Sequence, residues 1–411
     1  MPSRATGPLA GMRVLELAQI MAGPTCGMML ADMGADVIKV EKLPGGDDAR
    51  GYREPRINGV SAPFLMMNRN KRGIALNLKD ARGRDVLLRL VRDADVLTEN
   101  YRRGTLEKLG LGYDVLSQAN PGLIYCAVSG YGLDGPLADR GGFDLIAQGF
   151  AGLMSVTGEP GGPPLKNGNP VADINAGILA ACGIAAAYAH KLKTGLGQIV
   201  DTSLMEAALQ QTYWYAAIHF ATGASPGPTG SSNLLTAPYQ AFRASDGWLN
   251  IGGANQANWE RIADVLDHPE WRGDARFATN TARLAHLPVL VDAMNAVLAT
   301  RTKAEWIALF DAAGVPVGPV HSIGEALAHP QTIARGMVVD LDHPAAGPTK
   351  ALGCPIHFSA TPTAVIRPAP GLGEHTREVL REHGYADGEI DALVNAGVVE
   401  DAGGVAKDSA L

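Results

Sequence analysis

Apolar positions in the first 130 residues switch repeatedly between the spacings of strands and helices. MRVLELA (Met12–Ala18) is an apolar run of strand length. GPTCGMMLADMGA (Gly23–Ala35) follows at helical spacing, with Pro24 in the first turn, where a missing N–H costs nothing. DVIKVEK (Asp36–Lys42) is a second strand, so the three make a βαβ unit with a right-handed crossover. The pattern recurs. IALNL (Ile74–Leu78) reads as a strand, and KDARGRDVLLRLVRDA (Lys79–Ala94) as an amphipathic helix with Val86, Leu87, Leu90 and Val91 at its apolar positions. DVLTEN (Asp95–Asn100) is a strand, Thr105–Leu109 a helix, and LIYCAVSGYG (Leu123–Gly132) a strand ending in glycines. This alternation predicts an α/β fold with an open, Rossmann-like parallel sheet, and such sheets take ligands at the carboxyl ends of their strands.

The remaining pattern divides the chain. Gly158–Pro170 is a loop, Ile174–Lys193 a long helix, and Gln198–Ala221 a strand running into another helix. TGASPGPTGSSN (Thr222–Asn233) is the clearest linker, because Gly, Pro and Ser dominate it. Beyond it, APYQAF and GWLNIGG read as antiparallel strands, and WERIADVLD, LVDAMNAVLAT and KAEWIALFDAAG as helices. The expected organisation is a large α/β domain beginning with 1–225, a smaller α+β domain over 226–330, a return segment over 331–400 that completes the large domain, and a flexible tail over 401–411.

Composition narrows the function classes. A chain of 411 residues suggests two or three domains with ample core. A hydrophobic content of 46% with 19% charged residues is a globular rather than a disordered profile. The net charge of −7 argues against a nucleic-acid surface. Cys26, Cys126, Cys182 and Cys354 are scattered, with no CxxC or Cys/His spacing, so no metal site is expected and the thiols are expected reduced, in the cytoplasm. The start has no apolar signal core, and the apolar stretch Ile178–Ala189 is short enough to read as a buried helix rather than a membrane span.

Candidate chemistry comes from three places. The loop after the first strand, AQIMAGP (Ala18–Pro24), lacks GxGxxG, so Glu41 at the end of the second strand is left as a weak sign of nicotinamide binding. Lys42, Lys71, Arg72, Arg102, Arg103 and Arg140 gather near strand ends, where solvated charge is the ordinary reading and anionic phosphates the functional one. Asp173 stands alone between a Gly/Pro-rich approach and a nearly uncharged helix. It is either a cap for that helix or a nucleophile or base in a low-polarity site.

LAGMRVLELAQIMAGP, LADMGADVIKVEKLPGGDDAR, NRNKRGIALNLK, ADVLTENYRRGTLEKLGLGYDVL, SGYGLDGPLADRGGFDLIAQ, VADINAG and KTGLGQIVDTSLMEAAL occur in one order over about the first half of the chain. APYQAF, DGWLNIGG, AGVPVGPV and LGEHTREVL follow more loosely. In this ordered combination the chain resembles the class III CoA-transferases, of which formyl-CoA transferase is the best-known member and α-methylacyl-CoA racemase a relative of the same fold. The resemblance implies a CoA thioester as substrate, no prosthetic group, and an interlocked homodimer in which each chain threads through the other. Ile20, Met21 and Ala22 would lie along the CoA. Lys42, Arg72, Asn100, Tyr101 and Lys108 would line its adenosine and phosphate region, and Arg140 would stand near the phosphates. Lys42 and Lys108 occupy positions where formyl-CoA transferase has arginines. Asp173 falls on the family's catalytic aspartate.

The implied reaction moves CoA from an acyl-CoA donor to a carboxylic acid, small dicarboxylates first among the acceptors, through an aspartyl anhydride and an aspartyl-CoA thioester on Asp173. A carboxylate nucleophile of ordinary acidity needs no deprotonation near pH 7. Backbone N–H groups of Gln19–Gly23 are candidate donors to the oxyanions. The racemase relative carries a histidine before its aspartate in the stretch that here reads RGGFDLIAQ. Phe143 takes that place and cannot carry a proton, which favours transfer over racemisation and leaves Asp144 to cap or pair locally. A non-catalytic acyl-CoA-binding protein is the third reading. The GGGG lid run of formyl-CoA transferase is absent, with Gly227–Asn233 and Gly252–Gln256 as substitutes. Arg53, Arg56 and Arg243 are candidates for a second acceptor carboxylate.

Overall fold

The computed structural model describes residues 7–402, so the expected tail lies, from residue 403 on, outside the described residues. The chain forms two compact units: one made of the chain up to Leu153, Lys166–Ala221 and the stretch from Pro330 on, the other of Met154–Leu165 and Thr222–His329.

The first unit opens with β1 (Arg13–Leu17), α1 (Ala22–Asp32), β2 (Asp36–Lys42), the short β3 (Arg56–Ile57) and β4 (Val60–Ser61), α2 (Ala62–Met67) and β5 (Arg72–Leu76). It continues through α3 (Ala81–Val91), β6 (Val96–Glu99), α4 (Thr105–Lys108), α5 (Tyr113–Ala119), β7 (Ile124–Ser129), α6 (Asp144–Phe150), α7 (Val171–Thr194), β8 (Ile199–Ser203), α8 (Leu204–Gln210) and α9 (Tyr213–Thr222). Near the carboxyl end the chain adds a two-stranded hairpin, Val338–His343 with Gly347–Leu352, and the strand Val399–Glu400 on the sheet edge. Counted from that edge strand, the seven-stranded sheet continues β5, β2, β1, β6, β7, β8, and every pairing except that of Val399–Glu400 with β5 is parallel.

Both faces of this sheet are covered, as parallel sheets require. Strand alternation sends Met12 and Val14 to a core shared with α1 and α7, and Leu15 and Leu17 to a core shared with α3. α7 is long and apolar enough, by length and composition, to cross a membrane. Here its Ala172, Ala176, Ala180, Ala181, Ile184 and Ala187 are buried in the first core. The small side chains let α1 come close. A Cβ on Gly177 would fall 2.5 Å from the Ala22 carbonyl oxygen and 2.7 Å from Thr25 Cβ, so this crossing tolerates no side chain there.

The second unit holds a three-stranded antiparallel sheet of Tyr239–Ala244, Gly247–Gly252 and Val317–Pro319, with helices packed on it around Phe242, Leu249, Trp259, Leu290 and Phe310. Met154–Leu165, which the sequence pattern assigns to the large domain, belongs to this unit. The Gly230 N–H donates to the Gly158 carbonyl at 2.8 Å, tying the two strips of chain together. Both glycine-bearing stretches considered as lids are hydrogen-bonded within this unit. Gly253 N–H donates to the Pro238 carbonyl at 2.7 Å and Asn255 caps the next helix by accepting from Asn258 N–H. Thr229 and Ser232 each donate a hydroxyl to the other's carbonyl at 2.7 Å.

Candidate active site

The carboxyl ends of β1, β2, β6 and β7 carry most of the candidate residues. Ile20 and Met21 lie in the loop after β1, and Ala22 is the first residue of α1. Lys42 ends β2, exposed, with its ammonium on Asp48. Asn100 and Tyr101 follow β6. The Asn100 amide clamps the β1 loop: its Oδ1 accepts from Gln19 N–H and its Nδ2 donates to the Gln19 carbonyl, both at 2.9 Å. Tyr101 packs against the core beneath α3, and burial pushes its phenol up to about 12. Arg140 is exposed in the loop after β7, and its neighbour Gly141 lies against the Arg102 guanidinium, which sits 3.6 Å from where a Cβ would stand. Arg103 pairs with Asp139 in the same loop at 3.3 Å. Lys108 is exposed at the end of α4.

Arg72 is not part of this group. It begins β5, at the amino end of the sheet, where its guanidinium pairs with Asp36 at 2.6 Å, Glu378 at 2.9 Å and Glu382 at 2.8 Å. Burial lowers its basicity and Asp36 more than restores it, so its pKa is raised. The reading of Arg72 as a strand-end phosphate ligand is corrected on this point: its register in a parallel strand sends it to the opposite edge. Lys71 is also not a surface cation. It is fully buried, with Nζ 2.8 Å from Glu16 Oε2, 2.9 Å from Asn68 Oδ1 and 2.9 Å from the Pro24 carbonyl. Burial, opposed by Glu16, brings its pKa down to about 8.

Asp173 occupies the third position of α7, one turn before the Gly177 contact with α1. It does not cap α7. Pro170 is the N-cap, without a side-chain cap bond. The cap comes from Asp144 at the start of α6, whose Oδ1 accepts from Ala172 N–H at 2.9 Å while its Oδ2 accepts from Gln148 Nε2 at 2.7 Å. Gln148, fully buried, accepts in turn from Asn167 N–H at 2.9 Å and so shapes the approach to α7. Asp144, which the sequence leaves to cap or pair locally, therefore caps another helix. The Asp173 carboxylate has no hydrogen-bond partner among the described residues. Burial, and then the like charge of Asp144, push its pKa up to about 7. The expectation that this carboxylate is fully ionised near neutrality is thus corrected. Burial raises the Tyr52 phenol, and the carboxylates Asp47, Asp48 and Asp173 add to the rise in that order.

α1, which packs against the next turn of α7 at Gly177, begins without a cap. Met21 is its N-cap and offers no side-chain bond, leaving the first-turn amides as orphan donors. A helix start favours negative charge, and an uncapped one beside a carboxylate is arranged to receive an oxyanion. Phe143, immediately before α6, is 71% exposed, and no histidine replaces it at this turn. Among the described residues no group of three or more His, Cys, Asp or Glu is placed to hold a metal ion.

The sequence reading missed Glu16, Lys39 and Asp47, all fully or almost fully buried. Lys39 Nζ contacts Glu16 Oε1 at 3.0 Å, Asp47 Oδ2 at 2.8 Å and the Ala18 carbonyl at 2.8 Å. A signal was present. RVLEL and VIKVEK put charges between apolar residues in strands covered on both faces, where a charge has to be paired.

With this geometry in view, comparison with known proteins identifies the class. The model of CoA-transferase family III matches residues 9–376, and the chain belongs to that family. It is 40% identical to the succinate–glutarate CoA-transferase of Agrobacterium fabrum, over 93% of this chain and 97% of that one. It is 36% identical to the succinyl-CoA:glutarate CoA-transferase of Mus musculus, over 96% of this chain and 90% of that one. The crystal structure of a CAIB/BAIF family protein from Brucella suis superposes with a TM-score of 0.83 at 37% identity, covering 92% of this chain and 99% of its own. This chain is therefore an enzyme, a CoA-transferase of family III, with CoA thioesters as substrates.

Proposed function

We propose that this enzyme moves CoA between small dicarboxylic acids through covalent intermediates on Asp173. The observation that carries the proposal is the Asp173 carboxylate: without a hydrogen-bond partner among the described residues, its pKa raised to about 7, and one turn before the Gly177 contact with the uncapped α1. Its oxygen attacks the donor thioester carbonyl, the C–S bond breaks, and CoA thiolate leaves a mixed anhydride. The thiolate attacks the aspartyl carbonyl, and the C–O bond breaks to release the donor acid and leave an aspartyl-CoA thioester. The acceptor carboxylate displaces the thiolate to form a second anhydride. The thiolate then takes the new acyl group and frees Asp173. One difficult exchange becomes four displacements, each passing an oxyanion that the α1 amides can receive.

Dicarboxylates are favoured because relatives of this length and similarity are named for succinate and glutarate. Arg102, Arg103 and Arg140 in neighbouring loops, with Lys42 and Lys108, supply cationic charge for the CoA phosphates. The interlocked homodimer belongs to this reading. Phe143, Phe150, Tyr213, Trp214 and Phe220 are each more than half exposed, an apolar surface that a second copy would cover. A cytoplasmic setting, with the four cysteines free, completes it.

The test is intact-protein mass spectrometry after mixing with succinyl-CoA and trapping with hydroxylamine, wild type beside Asp173→Ala. An adduct at Asp173 that the variant lacks supports covalent transfer. Transfer by Asp173→Ala at the wild-type rate would sink it, and solvent deuterium entering the substrate α-carbon would point to racemase chemistry instead.

A further inference from the structure

We propose that Asp47, locked by Lys39, is a positioning residue for the transfer reaction: it holds the β1–α1 turn in the conformation that presents the start of α1 to the thioester. This inference rests on the proposed function. The turn is held against a local preference. Ile20 has φ +67°, in the left-handed region, which a β-branched residue rarely adopts. Such strain persists only where the surroundings over-determine it. Here they do. Asp47 Oδ1 accepts from Ile20 N–H at 3.0 Å, and Asn100 clamps both sides of the preceding Gln19 peptide. One residue earlier, the Ala18 carbonyl is taken by Lys39.

Asp47 cannot swing away. It is 1% exposed, its Oδ1 also accepts from Ala49 N–H at 2.9 Å, and its Oδ2 meets Lys39 Nζ at 2.8 Å. Its own backbone N–H donates to Glu41 at 2.9 Å, and Glu41 is gripped by Arg50 through two bonds of 2.7 Å. Lys39 leans on Glu16, which Lys71 shares, and Lys71 reaches the Pro24 carbonyl inside α1. A buried network of alternating charge thus grips the turn at Ala18, Ile20 and Pro24. A network of this kind is poor evidence of stability, since apolar replacements often serve as well, so its location under a strained turn is the informative feature. Among the described residues the Asp47 carboxylate bonds only to backbone N–H groups and Lys39, so it acts through Ile20 rather than on substrate.

The experiment is a double-mutant cycle of Asp47→Asn and Ile20→Gly, read by steady-state transfer from succinyl-CoA and by amide hydrogen exchange of the peptide spanning Ile20. Asp47→Asn keeps one acceptor oxygen but turns an NH2 toward either Lys39 Nζ or the Ile20 N–H, so the lock is broken. The kcat is expected to fall about 10- to 100-fold, the size of losing an oriented oxyanion donor, with KM for the CoA thioester within about two-fold of wild type. Exchange at Ile20 should accelerate. Glycine adopts positive φ without strain, so Ile20→Gly should raise the thermal midpoint yet lower kcat, and Asp47→Asn should cost less in that background than in wild type. A merely structural Asp47 would lower the thermal midpoint and leave kcat per folded enzyme unchanged, and that result overturns the inference while transfer itself stands. Additive effects on kcat overturn it too. Wild-type enzyme inactive on every acyl-CoA tried overturns the proposed function and this inference with it. Should Asp47→Asn fail to fold, Ile20→Gly decides: a more stable protein with undiminished kcat is the adverse outcome.

Discussion

The two ends of the seven-stranded sheet treat charge in opposite ways. At the amino end, the Arg72 guanidinium meets three carboxylates, Asp36, Glu378 and Glu382, and no orphan charge remains on it. At the carboxyl end, Asp173 has no hydrogen-bond partner among the described residues, α1 has no side-chain cap, and Ile20 sits in a strained conformation. One end is electrostatically finished and the other is held open by a buried network beneath it. Satisfied ion pairs contribute to holding a fold together. Unsatisfied groups cost stability and are retained where chemistry needs them.

Mutations can break that contrast. The largest effect is expected at Asp173→Ala, with kcat down about 10³-fold or more and CoA binding intact by calorimetry, because the proposed nucleophile is lost and the loops remain. Next comes Arg72→Met. It leaves Asp36, Glu378 and Glu382 facing one another and should cost about 2–4 kcal/mol in urea unfolding, with KM for the CoA thioester unchanged. A raised KM with unaltered stability would return Arg72 to the ligand site. Asp173→Asn should act in the opposite direction on stability. A carboxyl raised to about 7 in the folded state penalises the ionised fold, so the penalty is absent below pH 3.8, grows as pH rises, and is complete above about 7. Removing it should stabilise the protein at pH 8 by on the order of 1–4 kcal/mol, with the gain vanishing near pH 3.5. The smallest effect is a shift in acidity. The proposed mechanism uses the Asp173 carboxylate, so on that mechanism activity should climb with pH through about 7. Asp144→Asn keeps an oxygen for the Ala172 N–H and drops the like charge, so the acid limb of the rate profile should move down by about half to one pH unit. An unmoved limb would remove Asp144 as a cause.

Much of the fold was legible in local pattern. The strand Asp36–Lys42 stands where the apolar spacing placed it, and Val86, Leu87, Leu90 and Val91 do form the buried stripe of their helix. The first strand of the next repeat begins earlier than expected, at Arg72 rather than Ile74, because partners distant in sequence satisfy an arginine at the strand start. Asp173 was visible as a lone acid before an apolar helix. Its freedom from capping was not, because the cap arrives from Asp144, 28 residues before the Ala172 amide that it caps.

By itself, the sequence determined the alternation of strands and helices, the parallel sheet and the class of enzyme, and it singled out Asp173 as a lone acid, since these rest on short-range periodicity and on residue identity in order. Tertiary structure alone decided which end of the sheet each cation occupies, that Met154–Leu165 joins the second unit, that Asp173 rests near neutrality, and that Ile20 is held left-handed by Asp47. The physical reason is the same in each case. Burial, charge pairing and backbone strain depend on groups brought together from distant parts of the chain, and no local spacing encodes which carboxylate will be left without a partner.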